Sequence, residues 1–129
     1  MKKIKKGADG ITKTGEPIPN ADITFDPPPA KSYAYCSDTA YYPVIVPQIT
    51  KATALYHEST FLDLHHDLAE KTKHSTAKEA AAIAKKADVG TLILGHYSGR
   101  YGNLENFRRE AQELFENVAL AEDGKVFNF

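Results

Sequence analysis

The sequence predicts an α/β fold. Three short apolar runs, Ser32 to Cys36, Thr53 to Tyr56 and Thr91 to Leu94, have the length and residue types of buried strands. Helical patterns lie among and after them, at Thr76 to Ala87 and Leu104 to Phe115. Each apolar run also ends in a polar cluster: Ser37-Asp38-Thr39, His57-Glu58-Ser59-Thr60 and Gly95-His96-Tyr97-Ser98. If the strands are adjacent and parallel, all three clusters collect at one sheet edge, where α/β proteins form ligand sites.

Taken in order, residues 1–31 read as a loop-rich lead-in with short strands, one of them near Ile23 to Phe25. Gly7, Gly10, Gly15 and the run Pro27-Pro28-Pro29 set this texture, since proline fixes its backbone and removes a donor. MKKIKK reads as a solvated end, with no apolar stretch behind it to make a secretory signal. Residues 32–129 form the regular part. Tyr42 to Ile49 holds two prolines and fits either class. Leu62 to Lys71 is a helix or a charged loop, with His65 and His66 in solvent. Thr76-Ala77-Lys78-Glu79 is a capping box, and an alanine-rich helix follows it. Leu104, Phe107, Ala111, Leu114 and Phe115 share one helix face. Val118 to Leu120 and Val126 to Phe129 flank Asp123-Gly124 and predict a closing hairpin. Tyr33, Tyr35, Tyr41 and Tyr42 are assigned to core and edge packing, and Cys36 to a buried, inert place in its strand.

Composition narrows the function. Sixteen Lys and Arg face seventeen Asp and Glu, for a formal charge of -1, so the chain as a whole has no strong pull toward nucleic acid or anionic membrane. One cysteine cannot form an internal disulfide, which favours a reducing compartment; the expected location is the cytoplasm. No apolar run approaches the roughly 18 residues of a membrane span. The clusters hold Asp38, His57, Glu58, His74 and His96. Carboxylate and imidazole are ligands for zinc or a similar ion, and equally general acids and bases. His74-Ser75-Thr76 stands at a helix start, which suits phosphate or a simple cap. No local ligand spacing such as H-x-x-x-H or C-x-x-C is present. The residues alone reach an α/β chain with a metal or phosphate site and go no further.

Four strings, in this order, resemble one family: SDT at 37–39, HEST at 57–60, KHSTAKEAAAIA at 73–84 and LILGHYSGRY at 92–101. They are similar to the C-terminal half of ribonuclease Z, the tRNA 3′-end processing endonuclease of the metallo-β-lactamase superfamily. The resemblance covers about Ser32 to Leu120. It implies half of an αββα sandwich, in which two sheets pack face to face with helices outside. It implies that Asp38 bridges two zinc ions and that His96 is a histidine ligand. It implies that Glu58 and His74 relay a proton as the catalytic pair, and that Ser98 and Arg100 contact substrate phosphate. The family's H-x-H-x-D-H metal motif is absent from this chain. Stable zinc sites take about three or four protein ligands, so the isolated chain is expected to be inactive. A missing N-terminal half or a second subunit is the expected partner, with precursor tRNA as substrate, a homodimer as the assembly and no membrane. Two other readings stay open. One is another hydrolase of the superfamily, such as a small-molecule phosphodiesterase or sulfatase. The other is a non-catalytic interaction module.

Overall fold

A computed structural model describes residues 10–11, 17–18 and 27–129. The chain divides into two compact units, Met1–Ala30 and Lys31–Phe129. In the first, β1 (Gly10–Ile11) pairs antiparallel with β2 (Pro17–Ile18). The expected strand near Ile23 and the MKKIKK end lie outside the described residues.

The second unit is built on four strands, β3 (Tyr33–Cys36), β4 (Ala54–Glu58), β5 (Thr91–Gly95) and β6 (Val118–Leu120). They lie in sequence order and every neighbouring pair is parallel. Parallel neighbours need crossovers, and helices supply them. A 3₁₀ turn over Pro43–Ile45 runs into α1 (Val46–Ile49), which resolves the ambiguous stretch. A second 3₁₀ turn, Asp63–His65, leads into α2 (His66–Thr72). Then come α3 (Ala77–Ala87) and α4 (Glu105–Gln112).

Strand alternation decides which side chains meet the helices. Ala34, Leu55, Leu92 and Val118 stand in one cross-strand row, and Cys36, His57, Leu94 and Leu120 in the next. These rows pack with Ala80, Ile83, Ala84 and Ala87 of α3 and with Phe107 and Ala111 of α4. Alanine on α3 is what lets that helix lie close to the sheet. Its start is capped as expected on one side: Thr76 Oγ1 accepts from the Glu79 N–H at 3.1 Å. The Glu79 carboxylate stands 3.2 Å from Nε2 of His66. After α3 the chain turns back through Asp88, in the left-handed region at φ 51°. Gly90 then passes so near Thr53 that a Cβ there would sit 2.5 Å from the Thr53 carbonyl oxygen.

The opposite face carries Tyr33, Tyr35, Tyr56, Ile93 and Ala119. The rings of Tyr35 and Tyr56 stack at 4.7 Å between centroids. Tyr33 stacks on Phe129 at 5.7 Å. Tyr33 and Tyr35 stand on the edge strand and are 51% and 65% exposed, so of the core and edge packing assigned to these tyrosines they take the edge part and not the core. Tyr41 does pack against the core, and its hydroxyl accepts from Lys86 Nζ at 2.7 Å. The predicted closing hairpin is absent. The Asp123-Gly124 turn forms, with Gly124 at φ 82°, but no strand follows it, and Val118–Leu120 pairs parallel to β5. The turn chemistry was legible; the partner was not, because β6 finds its ladder on a strand remote in sequence.

Candidate functional site

The C-terminal ends of β3, β4 and β5 lie side by side, and the polar clusters meet there. Glu58 is the last residue of β4, opposite Gly95 in register. Its side chain falls on the Tyr56 side of the sheet and is fully buried. His57, one residue earlier, falls on the helix side, 1% exposed. Its Nδ1 is 2.7 Å from the Glu58 carbonyl oxygen, which can only accept, so Nδ1 carries the proton. Burial holds its basicity below the ordinary imidazole range. His57 is therefore a core histidine, separated from the pocket by the pleat.

Glu58 is saturated with donors. Oε1 accepts from the Thr39 amide at 3.0 Å and from His74 Nδ1 at 2.6 Å. Oε2 accepts from the Thr60 amide at 3.1 Å, the Thr60 hydroxyl at 2.7 Å and the Ser75 amide at 3.1 Å. Burial by itself would raise the carboxyl pKa. The bonds from the Thr60 hydroxyl, His74 and the Ser75 and Thr60 amides outweigh it and hold the group below its usual range. Glu58 is thus an ionised buried carboxylate with its charge spread over five donors.

Around it stand the other expected residues. Asp38 and His96 both adopt left-handed backbone, at φ 55° and 60°. For a residue with a Cβ that costs about 1–2 kcal/mol, and neither is a helix cap. Each follows the end of a strand, where the reversal presents its side chain at the sheet edge. Asp38 Oδ1 lies 3.7 Å from His74 Nδ1, and its side chain is 81% exposed. The rings of His74 and His96 are 5.3 Å apart. His96 Nδ1 is 2.8 Å from the Thr60 hydroxyl. Ser98 and Arg100 follow on the loop after β5. The Ser98 amide donates to the Thr60 carbonyl at 2.9 Å. The Arg100 guanidinium sits over the Phe61 ring at 5.6 Å, and Phe61 meets His74 edge-on at 6.3 Å. Asp38, Glu58, His74 and His96 therefore converge, with Ser98 and Arg100 on the adjoining rim. His65 and His66 are not simply solvated: His65 Nδ1 is 2.6 Å from the Tyr101 hydroxyl, and His66 faces Glu79.

Sequence reasoning passed over Thr39, Ser75 and Thr60. Thr39 and Ser75 act through backbone amides, which carry no side-chain signal. Thr60 had one: a hydroxyl two residues beyond a strand-end carboxylate.

Glu58, His74 and His96 offer ligand atoms within 4.8 Å of one another. Glu58 is a poor ligand all the same, because its roughly four lone-pair directions are taken up by protein donors. His74 Nδ1 is committed to Glu58. Asp38 and His96 are the right kinds of ligand for zinc, but they fall short of the usual three or four. Among the described residues, the donors fit a share of a metal centre and not a whole one.

The fold and this sheet-edge site define the class: the Lys31–Phe129 unit is part of a metallo-β-lactamase-fold domain. The metallo-β-lactamase fold protein YhfI of Bacillus subtilis superposes with a TM-score of 0.69 at 30% identity, over 76% of this chain and 40% of that one. Within the class, the chain is a relative of ribonuclease Z. A Parabacteroides distasonis protein named Ribonuclease Z is 48% identical over 124 residues, spanning 96% of this chain and 41% of the relative. The short form of human tRNase Z matches with a TM-score of 0.52 at 34% identity, over 64% of this chain and 27% of that one. No protein-family model matches the chain. The chain spans about two fifths of the length of the curated relatives it matches. Among the described residues no helix is long and apolar enough to cross a membrane.

Proposed function

We propose that this chain is the C-terminal part of a ribonuclease Z-type endonuclease that cleaves tRNA precursors at the 3′ end. The observation that carries the reading is the fully buried Glu58 carboxylate, 2.6 Å from His74 Nδ1, beside Asp38 and His96. Ionised Glu58 accepts from His74 Nδ1 and so orients the ring. His74 then holds a proton at Nε2 for the oxygen that leaves when the phosphodiester bond breaks. Arg100 and Ser98, on the rim, contact substrate phosphate; a guanidinium suits that as a fork of donors. Asp38 and His96 supply part of a zinc centre, and the remaining ligands come from a portion of the protein outside this sequence, or from a second subunit. The half-exposed Tyr33–Tyr35 face is where such a portion would pack, since parallel sheets are ordinarily covered on both sides. We assign the assembled enzyme to the cytoplasm, as a homodimer, with residues 1–31 as the lead-in and 32–129 as the half domain.

The test joins this chain to the portion its relatives carry beyond it and measures cleavage of a precursor tRNA against bis-p-nitrophenyl phosphate. Efficient tRNA cleavage is expected, with His74→Ala slowing turnover by about 10²–10⁴ at little change in KM. The chain alone should cleave neither. Cleavage of the small diester with none of the tRNA would favour a small-molecule phosphodiesterase of the same fold.

A further inference from the structure

The hydrogen bonds of Thr60 carry information about a proton that no single contact shows. The Thr60 hydroxyl lies 2.7 Å from Glu58 Oε2 and 2.8 Å from His96 Nδ1. It owns one hydrogen. Glu58 Oε2 also accepts from two backbone amides, of Thr60 and Ser75, each at 3.1 Å. An oxygen facing two N–H groups and a hydroxyl is an acceptor and offers no proton. If the Thr60 hydrogen pointed instead at His96, two oxygens would stand 2.7 Å apart with nothing between them, one of them charged. The hydroxyl therefore donates to the carboxylate, the stronger acceptor. Its remaining lone pair can only accept, so His96 Nδ1 must be the donor.

We propose that Thr60 is a positioning residue that fixes His96 as the Nδ1–H tautomer and leaves the Nε2 lone pair facing outward. Little else among the described residues orients that ring. His96 is exposed and sits on a left-handed backbone just past β5, with His74 as its tilted neighbour. Thr60 itself is buried and tied on both sides of its backbone: 8% exposed, with its amide on Glu58 and its carbonyl accepting from the Ser98 amide at 2.9 Å. The carboxylate thereby anchors both imidazoles, His74 directly on Oε1 and His96 through one hydroxyl on Oε2. A second group that sets which nitrogen of a ligand histidine is free commonly matters as much as the ligand itself. The inference deepens the nuclease reading and rests on it only for what Nε2 binds; the tautomer belongs to this chain.

The experiment is long-range ¹H–¹⁵N correlation of the histidine rings in the full 129-residue chain, with chelator present and at a pH above the imidazole range. Thr60→Val and Thr60→Ser are compared with the unaltered protein. The expected result is Nδ1–H for His96 in the unaltered protein and in T60S, and loss of that single tautomer, with Nε2–H appearing, in T60V. His74 should stay Nδ1–H in all three, because its bond to Oε1 does not involve Thr60. Three results overturn the proposal: Nε2–H on His96 in the unaltered protein, an unchanged His96 in T60V, or His74 shifting together with His96, which would make Thr60 a general support of the pocket. Should T60V not fold, the unaltered and T60S spectra decide alone. RNA cleavage is not a readout, so failure of the nuclease assignment and failure of the tautomer are told apart.

Discussion

Replacing Glu58 by Gln keeps the shape of the side chain and removes its charge. The amide has one acceptor oxygen where the carboxylate has two. Its best orientation turns that oxygen toward the three donors of Thr60 and Ser75. Its NH₂ group then faces the Thr39 amide and His74 Nδ1. His74 can escape by moving its proton to Nε2; the Thr39 N–H has no such freedom. An orphaned buried donor costs about 1–3 kcal/mol, and each of three bonds that changes from a charged to a neutral acceptor loses about 1 kcal/mol. Relief from burying a charge offsets part of this. A net destabilisation of about 2–4 kcal/mol is expected, read as a lower urea midpoint near pH 7. The pH dependence gives a second handle. The folded carboxyl lies below its ordinary value of 4.5, so its contribution is complete above that value and is lost as the pH falls through the lowered one. The gap between the unaltered protein and Glu58→Gln should therefore close in acid. A midpoint shift under about 0.5 kcal/mol, or a gap that stays constant into acid, would refute the picture of an ionised, donor-saturated carboxylate.

Further outcomes follow from the same geometry. His57 is buried neutral with its pKa below the ordinary 6.5, so stability should fall as the pH drops from 6.5 toward the lowered value. His57→Gln should flatten that limb in a series of thermal melts. Gly90→Ala drives a Cβ against the Thr53 carbonyl and should cost about 1–3 kcal/mol, whereas Gly99→Ala, with nothing within 4 Å, should leave the urea midpoint nearly unchanged. Phe107→Ala removes a fully buried ring where α4 meets the sheet and should cost about 3–5 kcal/mol in the same assay. Equal midpoints for the two glycine variants would contradict the close approach at Gly90.

The sequence by itself determined the local elements and the kinds of chemistry. Short apolar runs rich in β-formers specify strands at Tyr33, Leu55 and Leu92, and Thr76 with the alanines after it specifies a helix, because both signals are local. The motif strings identified the relatives and nominated Asp38, Glu58, His74 and His96. Only the tertiary structure decided which of the polar residues share a pocket. Adjacent His57 and Glu58 lie on opposite faces of β4, since a pleated strand reverses at each residue. Val118–Leu120 left its expected hairpin for a parallel place beside β5, a pairing set by long-range packing and not by the turn. Thr60 stands two residues from Glu58 in the sequence, but only folding brings it His96, 36 residues away. Composition can nominate a donor or an acceptor; which proton lies between two atoms depends on distances that exist only once the strands are side by side.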